Sequence, residues 1–341
     1  MSGTSLDGLD LAACKFWQEK RKWHFEILSA TTKGYTGMLR QKLVTAHTLN
    51  SEQLIALHNE YGRFIGNEIR EFMRENRIEA GLIASHGHTV FHQPEKGFTF
   101  QAGNGAAIAA ITGIKTVSGF RQADVALGGQ GAPLVPAGDR LLFGKYKYCL
   151  NLGGFANISF EHENFRIAYD ICPVNIVLNY FAEKKGHAFD SGGRLGEQGN
   201  VDQGLLEELN SISYYRLKPP KSLGREWVDE NFLPLVENRK LNFHNTLRTI
   251  YEHIAVQIGK TFLPPGEGLV TGGGAFNTFL MERIKHYSGV RLVIPEKVIV
   301  SCKEALIFAF LGLLRERGEI NCLSSVTGAK KDSCCGIIHL P

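Results

Sequence analysis

Three glycine-rich turns, each at or next to a predicted strand, constrain the fold of this chain more than any other feature. They are SGTSLDG at 2–8, NLGGFANIS at 151–159 and VTGGGAFN at 270–277. A turn without side chains lets backbone N–H groups approach an oxyanion, and its serine and threonine hydroxyls add further donors. A single turn of this kind is usually only a turn, but three of them favour nucleotide binding.

The two common nucleotide-binding motifs do not fit these turns. None matches the pattern GxxxxGK[ST], and none is a clean GxGxxG that opens a first helix. The sequence therefore argues against P-loop and dinucleotide-binding folds.

The order of predicted elements repeats in the two halves of the chain. Alternating residues predict strands at 8–17 and 23–32, and Ser51 is expected to cap a helix of about 25 residues before further short strands and helices. The second half opens on a strand at 147–152 and closes on a long helix at 303–317. This repetition predicts a duplicated α/β fold with a cleft between its halves. The expected lobes are 1–120 with about 318–341, and 121–317.

Composition limits the class of partner. The chain has 341 residues, of which 43% are hydrophobic and 21% charged, as in a globular protein with a sizeable core. A net charge of +4 is too small and scattered for nucleic acid but suits an anionic small molecule. Because no apolar run or leader pattern is visible, we expect a cytoplasmic protein without a membrane partner.

Cysteine and histidine give no clear metal motif. The seven cysteines include no CxxC pair, so we expect reduced thiols. The segment HGHTVFH holds His86, His88 and His92, but no cysteine or carboxylate joins them at zinc-ligand spacing. A polar site wall and plain surface are the alternatives.

Asp170 and Arg121 are the leading candidates for chemistry. Asp170 is predicted to end the strand FRIAYD, before a helix that starts at Pro173, so its side chain should project from a strand end. A helix N-cap is the alternative. Arg121 lies in a glycine-rich loop, and its planar guanidinium matches a carboxylate or phosphate.

Seven segments together resemble one known family. They are MSGTSLDG, SHGHTVFHQP, FRQADVALGGQGAPLVP, LNLGGFANIS, KSLGREW, VTGGGAFN and SSVTGA. In this order they resemble the 1,6-anhydro-N-acetylmuramic acid kinases, within the superfamily of actin, sugar kinases and chaperone ATPase heads. The resemblance runs from residue 1 to about 336. It implies a two-lobed, actin-like (ribonuclease H-like) α/β fold. It also implies ATP-dependent phosphorylation of the anhydro sugar, with water opening its bridge, in peptidoglycan recycling.

The resemblance assigns the three glycine turns to ATP. Hydroxyl and N–H groups of the first turn would bind phosphate oxygens, and Asp7 would carry water-bound Mg²⁺. An aspartate that caps its own turn is the alternative for Asp7. The residues expected to bind ATP are Ser2, Gly3, Thr4, Ser5, Asp7, Gly8, Gly153, Gly154, Gly272, Gly273 and Gly274.

The same resemblance assigns catalysis to Asp170 and Glu304. The family's matching aspartate is a general base, because water that attacks an anomeric carbon must lose a proton. The departing bridge oxygen can be captured by the γ-phosphoryl group, so one base and one nucleotide suffice. For Glu304, an acid in the first turn of the last helix, favoured by the helix dipole, is the alternative.

The sugar contacts are expected in the loop GFRQADVALGGQGAP, which should cross between the halves. The family suggests that Arg121 binds the lactyl carboxylate and that Asp124 positions Arg121 or the sugar. Gln130 would lie in a close-approach turn of glycines. His86 and Asn157 are expected to contact sugar or phosphate.

Several departures from the family pattern keep other functions open. The strand expected before MSGTSLDG is missing, so the central sheet would lose an element and the phosphate turn one support. Ile171, Cys172 and Val174 around Pro173 replace smaller or hydroxylated residues, and Asn104 and Gly119 stand where acids are usual. A nucleotide- and sugar-binding relative without turnover is therefore the second hypothesis, and a nucleotide-independent glycoside hydrolase the third. A homodimer is also left open.

Overall fold

The chain folds as a mixed α/β protein in a computed structural model that describes residues 1–2, 6, 8–262 and 265–341. Its strands are β1 (Leu9–Glu19), β2 (Lys22–Lys33), β3 (Ile83–Ala84), β4 (His88–Gln93), β5 (Phe98–Ala102), β6 (Thr116–Ser118), β7 (Tyr148–Leu152), β8 (Phe155–His162), β9 (Phe165–Pro173), β10 (Glu267–Thr271), β11 (Arg291–Val293) and β12 (Ile337–His339). Its α-helices are α1 (Gly37–Val44), α2 (Ser51–Asn76), α3 (Gly105–Thr112), α4 (Gln122–Ala126), α5 (Val135–Leu142), α6 (Asn175–Glu183), α7 (Arg194–Glu197), α8 (Gln203–Ser211), α9 (Arg225–Trp227), α10 (Leu233–Asn238), α11 (Phe243–Gly259), α12 (Thr278–Ser288), α13 (Lys297–Glu316) and α14 (Ser324–Thr327).

Two compact units divide the chain. Unit 1 comprises Met1–Leu142 and Cys302–Pro341, and unit 2 comprises Phe143–Ser301. These bounds differ from the expected lobes, because the glycine-rich loop at 119–133 and helix α5 belong to unit 1. The Gln130 N–H donates to the Thr327 carbonyl at 2.8 Å, which ties the loop to the C-terminal segment of the same unit.

Unit 2 is built on one five-stranded sheet with the order β11-β10-β7-β8-β9. The central strand β7 runs parallel to β10 on one side and antiparallel to β8 on the other. Tyr148, Leu150 and Leu152 on one face of β7 are buried in the core of the unit, and Cys149 on the other face is buried as well. Burial on both faces is typical of a central strand with helices packed above and below.

Unit 1 holds its strands in separate groups. β1 pairs with β2, β3 and β12 flank β6, and β4 pairs with β5. The β1–β2 hairpin turns at Lys20 and Arg21, both with positive φ (48° and 67°), which matches the twist of a two-residue hairpin. The two strands predicted at 8–17 and 23–32 therefore form, and they pair with each other.

Helix α2 forms where the sequence predicted a helix of about 25 residues, but its N-cap is Asn50 rather than Ser51. The Asn50 side chain accepts from the Gln53 N–H, and the Gln53 side chain accepts from the Asn50 N–H, which is a capping box. The helix lies very close to α3: a Cβ on Gly62 would be 2.7 Å from the backbone N and O of Asn104. Only glycine allows that approach.

Helix α13 begins earlier than the sequence suggested. It starts at Lys297, not at residue 303, and runs to Glu316. Lys303 on this helix forms a buried ion pair with Asp139 of α5, with 2.7 Å between Nζ and Oδ1. Among the described residues, no helix is both long and apolar enough to cross a bilayer.

Candidate active site

One edge of the unit 2 sheet brings together the site residues predicted in that unit. Parallel strands β7 and β10 end at Leu152 and Thr271, directly before the glycine turns at 153–154 and 272–274. Strand β9 runs in the direction of β7, because both are antiparallel to β8. Asp170 therefore approaches the same edge, and Asn157 lies opposite it on β8. Ligands of α/β sheets commonly bind at this edge.

The two glycine turns of unit 2 lie against each other. A Cβ on Gly272 would be 2.7 Å from Asn151 Oδ1 and 2.8 Å from the Leu152 carbonyl oxygen, so no side chain fits there. A Cβ on Gly273 would meet no atom within 4 Å, and one on Gly154 only a carbon at 3.9 Å. The turns are thus packed at their base and border open space at Gly154 and Gly273.

Asn175, which the sequence analysis did not single out, fixes the first of these turns. Its Nδ2 donates to the Gly153 carbonyl at 2.8 Å and to the Leu152 carbonyl at 3.2 Å. The Val174 N–H donates to the Gly154 carbonyl at 2.8 Å. Because the carbonyl groups of this turn accept hydrogen bonds from Val174 and Asn175 at the start of α6, the turn has a fixed orientation. The sequence signal for this contact was the asparagine at the end of the segment DICPVN, residues 170–175.

Asp170 lies inside β9, so the prediction that it ends the strand was wrong. The strand continues to Pro173, and α6 begins only at Asn175, which excludes the helix-cap explanation for Asp170. The register jumps from Ala156 opposite Cys172 to Asn157 opposite Asp170, which leaves Ile171 as an extra residue. Bulges of this kind re-aim neighbouring side chains and are frequent beside active sites.

The surroundings of the Asp170 carboxylate suit a proton acceptor. Its Oδ2 accepts from the Leu223 N–H at 2.9 Å, whereas Oδ1 has no hydrogen-bond partner among the described residues. The Tyr214 hydroxyl donates to the Asp170 carbonyl at 2.7 Å, and the Asp170 N–H donates to the Lys221 carbonyl at 3.2 Å. Burial raises the pKa of Asp170, and the Leu223 N–H opposes that rise. A partly accessible carboxylate with one open oxygen and a raised pKa is typical of a general base.

In unit 1, His86 and Arg121 follow the parallel strands β3 and β6 and contact each other. Arg121 Nε donates to His86 Nε2 at 2.9 Å, and His86 Nδ1 lies 3.0 Å from the Gly87 carbonyl. Burial and the Arg121 charge hold the pKa of His86 well below its ordinary value, so the ring is neutral, with its proton on Nδ1. Both ring nitrogens of His86 have hydrogen-bond partners within the protein, and His86 therefore positions Arg121.

Asp124 supports Arg121 through the glycine turn. Its buried carboxylate accepts from the Gly131 N–H at 2.7 Å and from the Thr327 hydroxyl at 2.7 Å. The Gly131 carbonyl in turn accepts from Arg121 Nη1 at 2.7 Å. A Cβ on Gly129 would be 2.2 Å from Asp124 Oδ2, so glycine is required there. The Gln130 side chain is exposed, and its backbone N–H makes the bond to Thr327.

Glu304 lies near Arg121 but not where the sequence placed it. It stands two turns into α13, so the first-turn explanation is wrong. The Glu304 side chain is exposed to solvent. Desolvation by the surrounding protein raises the pKa of Glu304, and the charges of Arg121 and Lys303 oppose that rise. Burial lowers the pKa of the Met1 amino group to about 6, and Asp10 and Glu304 oppose that shift. Arg121, Glu304 and the chain start thus share one electrostatic neighbourhood.

The first glycine turn is described only at its ends. Ser2 is buried, and its Oγ accepts from the Tyr35 hydroxyl at 2.7 Å and lies 3.4 Å from His88 Nδ1. Gly8 packs closely, since a Cβ there would be 2.7 Å from the Lys33 carbonyl oxygen. Gly3, Thr4, Ser5 and Asp7 lie outside the described residues. Within the described ranges, no group of three or more His, Cys, Asp or Glu residues could hold a metal ion.

Each unit thus carries groups of the kind found in α/β enzymes: glycine turns at strand ends with an available carboxylate in unit 2, and an arginine held by hydrogen bonds in unit 1. A family model described as anhydro-N-acetylmuramic acid kinase matches residues 1–341. The chain belongs to the anhydro-N-acetylmuramic acid kinase family, and it is therefore a phosphotransferase.

Individual relatives are similar to this chain over nearly their whole length. The anhydro-N-acetylmuramic acid kinase of Vibrio cholerae is 36% identical over 366 residues, covering 100% of this chain and 97% of the relative. That of a Picosynechococcus species is 33% identical over 373 residues, covering 100% and 98%. A solved structure, component A of (R)-2-hydroxyglutaryl-CoA dehydratase from Acidaminococcus fermentans, is 12% identical with a TM-score of 0.42, covering 88% of this chain and 93% of that one.

Proposed function

We propose that this chain is an active ATP-dependent kinase that opens 1,6-anhydro-N-acetylmuramic acid with water and phosphorylates O6. The product is N-acetylmuramic acid 6-phosphate, and the reaction serves cell-wall recycling in the cytoplasm. Family membership supports the substrate and the transfer. The single observation that carries the chemistry is the open Oδ1 of Asp170, on a carboxylate whose pKa is raised.

The glycine turns of unit 2 fit a nucleotide. Gly154 and Gly273 border open space, so phosphate oxygens have room to approach their peptide groups. The resemblance assigns phosphate contacts to the hydroxyls of the turn at 2–8 and the Mg²⁺ to Asp7, which lies outside the described residues. When bound, the ion would neutralise part of the phosphate charge. A carboxylate is the donor type that Mg²⁺ prefers.

The proposed reaction needs one base. Asp170 Oδ1 takes a proton from water as the water oxygen bonds to the anomeric carbon. The bond from that carbon to O6 breaks, and its electron pair remains on O6. O6 then bonds to the γ-phosphorus as the bond to the ADP oxygen breaks. The products are the opened sugar phosphate and ADP, and Asp170 releases its proton to solvent.

Arg121 would hold the sugar, and Glu304 would be the second catalytic residue. The Nη2 of Arg121 has no hydrogen-bond partner among the described residues, whereas Nε and Nη1 are fixed by His86 and Gly131. This leaves one edge of a pre-oriented guanidinium for the lactyl carboxylate. Glu304, beside Arg121, is the second polar group in that neighbourhood.

The other two hypotheses have less support. A glycoside hydrolase needs a second carboxyl group within roughly 5–10 Å of the base. Burial and the Leu223 N–H are the causes of the shift in the pKa of Asp170, and no carboxyl group of the described residues is among them. A relative without turnover would have no use for an open carboxylate oxygen of raised pKa.

ADP release tests the proposal. The purified chain is incubated with ATP, Mg²⁺ and 1,6-anhydro-N-acetylmuramic acid, and parallel reactions omit the sugar or the ATP. We expect ADP release only in the complete mixture. Thermal stabilisation by ATP without ADP release would indicate the binding protein, and sugar opening without ATP would indicate the hydrolase. A parallel reaction with the anhydro-glucosamine sugar measures the contribution of the lactyl group.

A further inference from the structure

The segment KSLGREW at 221–227 has no part in the proposed reaction or in the proposed sugar contacts. It runs beside strand β9 in unit 2. The Asp170 N–H donates to the Lys221 carbonyl at 3.2 Å, and the Leu223 N–H donates to Asp170 Oδ2 at 2.9 Å. The position of residues 221–223 therefore decides whether the Asp170 carboxylate keeps this hydrogen bond.

Few hydrogen bonds hold this part of the chain. Residues 217–224 lie between the short helix Ser213–Arg216 and α9, in neither a helix nor a strand. Within the described ranges, residues 218–223 make three hydrogen bonds: two with Asp170, and one from the Lys221 ammonium group to the Tyr214 carbonyl at 3.2 Å. Of these three, only the bond from Lys221 Nζ joins the segment to a residue other than Asp170.

Two tyrosine rings also contact the Lys221 ammonium group. Its Nζ lies 4.5 Å from the centre of the Tyr214 ring and 5.5 Å from the centre of the Tyr169 ring. The negative face of an aromatic ring attracts a cation at these distances. Tyr169 directly precedes Asp170 in β9, and the Tyr214 hydroxyl donates to the Asp170 carbonyl at 2.7 Å. The lysine is thus anchored on two residues that are themselves joined to Asp170.

The Leu223 N–H affects the protonation of Asp170. Burial raises the pKa of Asp170, and the hydrogen bond from Leu223 opposes that rise, because a donor stabilises the ionised carboxylate. If residues 221–223 moved away from β9, the effect of burial would be unopposed, and the carboxylate would take up a proton at a higher pH.

The other titratable side chains on β9 and on the elements packed against it do not change charge at neutral pH. Burial raises the pKa of the tyrosines and of the thiol among them, that of Tyr169 to about 12, and it lowers the pKa of His253 to about 3. Burial also lowers the pKa of Lys221, the cation of the group. Asn157, opposite Asp170 on β8, does not titrate. The titratable set is Tyr169 and Cys172 on β9, Tyr214, Tyr215 and Lys221 between α8 and α9, and His253 on α11.

We propose that Lys221 is a positioning residue for Asp170. Its ammonium group, bound to the Tyr214 carbonyl and the two tyrosine rings, keeps residues 221–223 beside β9, so that the Leu223 N–H stays on Oδ2 and Oδ1 stays available to water. Lys221 acts through Asp170 and does not contact the reacting atoms. The inference rests on the proposed function, in which Asp170 is the base.

A pH–rate profile of Lys221→Met and Lys221→Arg tests the proposal. Methionine keeps the length of the side chain but has neither the charge nor an N–H. Because the base must be ionised, and its pKa rises when the Leu223 bond is lost, the acid limb of kcat/KM should move up by about 1 pH unit in Lys221→Met. Arginine keeps a cation over the rings, so Lys221→Arg should hold the limb within about 0.3 units of the wild type. An unmoved limb in Lys221→Met would overturn the proposal.

Lys218 provides the matched control for the loss of a charge. It lies three residues away, is exposed, and makes no hydrogen bond or ion pair with the described part of the chain. Lys218→Met should leave the acid limb in place. A shift equal to that of Lys221→Met would assign the effect to net charge and contradict the positioning role.

Amide exchange measures the hydrogen bond itself. The Leu223 amide should exchange at least about tenfold faster in Lys221→Met than in the wild type, whereas Lys221→Arg should retain its protection. A shifted limb with an unchanged Leu223 exchange rate would mean that Lys221 acts through its charge alone, and would overturn the proposal.

Carbon NMR gives the pKa of Asp170 without turnover. The labelled carboxyl carbon of Asp170 is identified by its absence from the Asp170→Asn variant, and its pKa should be higher by about 1 unit in Lys221→Met. An inactive wild type in which Lys221→Met still raises this pKa would refute the kinase reaction and support the positioning role. An active wild type with the same Asp170 pKa in both chains would support the reaction and refute the positioning role.

Discussion

Unit 1 and unit 2 hold their site residues by different means. In unit 2 a continuous sheet carries the turns at its edge. Backbone groups of Leu223 and Lys221 bind Asp170, and the Val174 N–H together with the Asn175 side chain fixes the turn at 153–154. In unit 1 the sheet is divided, and side chains of His86, Asp124 and Thr327 fix Arg121 and its loop. Asp170 of unit 2 is thus bound through its carboxylate to a backbone group, whereas Arg121 of unit 1 depends on the buried polar side chains of His86 and Asp124.

This difference has an energetic consequence. Backbone hydrogen bonds survive most side-chain substitutions, whereas a buried polar side chain that loses its partner costs about 1–3 kcal/mol. Support residues of unit 1 should therefore be more sensitive to single substitutions than those of unit 2. The residues that do chemistry should show the largest effects in either unit.

The largest expected effect is that of Asp170→Asn. The amide keeps the bond from the Leu223 N–H but cannot take a proton, so kcat should fall about 10³-fold or more, while ATP binding stays near that of the wild type. Turnover and nucleotide affinity, measured on the same preparation, check this. A residual rate within about tenfold of wild type would move the base elsewhere.

The same substitution has a predicted effect on stability. The folded-state pKa of Asp170 is raised, so its ionised form destabilises the fold above that pKa, and this cost vanishes below the unfolded value near 3.8. Asp170→Asn should therefore raise the free energy of unfolding at pH 7 but not at pH 3. For the wild type, kcat/KM should fall as the pH drops through the raised pKa. Denaturant titrations and a pH–rate profile measure these two effects.

Arg121→Lys is expected to act on the sugar rather than on the rate. Lysine keeps the charge but loses the fork that His86 and Gly131 orient, so KM for the muramic sugar should rise about 10–100-fold. The matched comparison uses the anhydro-glucosamine sugar, which lacks the lactyl carboxylate. The same loss with both sugars would contradict the assigned contact.

Asp124→Asn and Tyr214→Phe compare the two kinds of support directly. An amide nitrogen cannot accept a hydrogen bond, so Asp124→Asn should lower the free energy of unfolding by about 2 kcal/mol and raise KM for the sugar. Tyr214→Phe removes one hydroxyl bond to a backbone carbonyl and should cost about 1 kcal/mol, since the Leu223 and Lys221 bonds to Asp170 remain. Urea unfolding of both variants gives the ranking, and the reverse order would refute the distinction between the units.

The element order was readable from the sequence because local patterns determine it. Alternating apolar residues gave the β1–β2 hairpin, and helical spacing gave α2, both close to their observed bounds. The start of α13 at Lys297 was missed because the segment after Pro295 is apolar and has no clear helix-start signal. Asn50 was passed over as a cap because Ser51 beside it is an equally good cap residue.

The support of the site was less visible because it depends on long-range pairs. Asp124 bonds to Thr327, 203 residues away, and Asp170 accepts from a backbone N–H 53 residues away. The bulge at Ile171 arises from the pairing of β8 with β9, which residue types alone do not specify. The sequence therefore identified which residues to consider, whereas their partners required the structure.

The mass of the sugar product tests the central claim most directly. Wild-type chain and the Asp170→Asn variant are incubated with ATP, Mg²⁺ and 1,6-anhydro-N-acetylmuramic acid, and the products are identified by mass spectrometry. We predict that the wild type adds one phosphoryl group and the elements of one water to each sugar, and that the variant yields almost none of this product. A wild-type product that gains phosphate without water, or the full product from the variant, would contradict the role of Asp170 as the base that activates water.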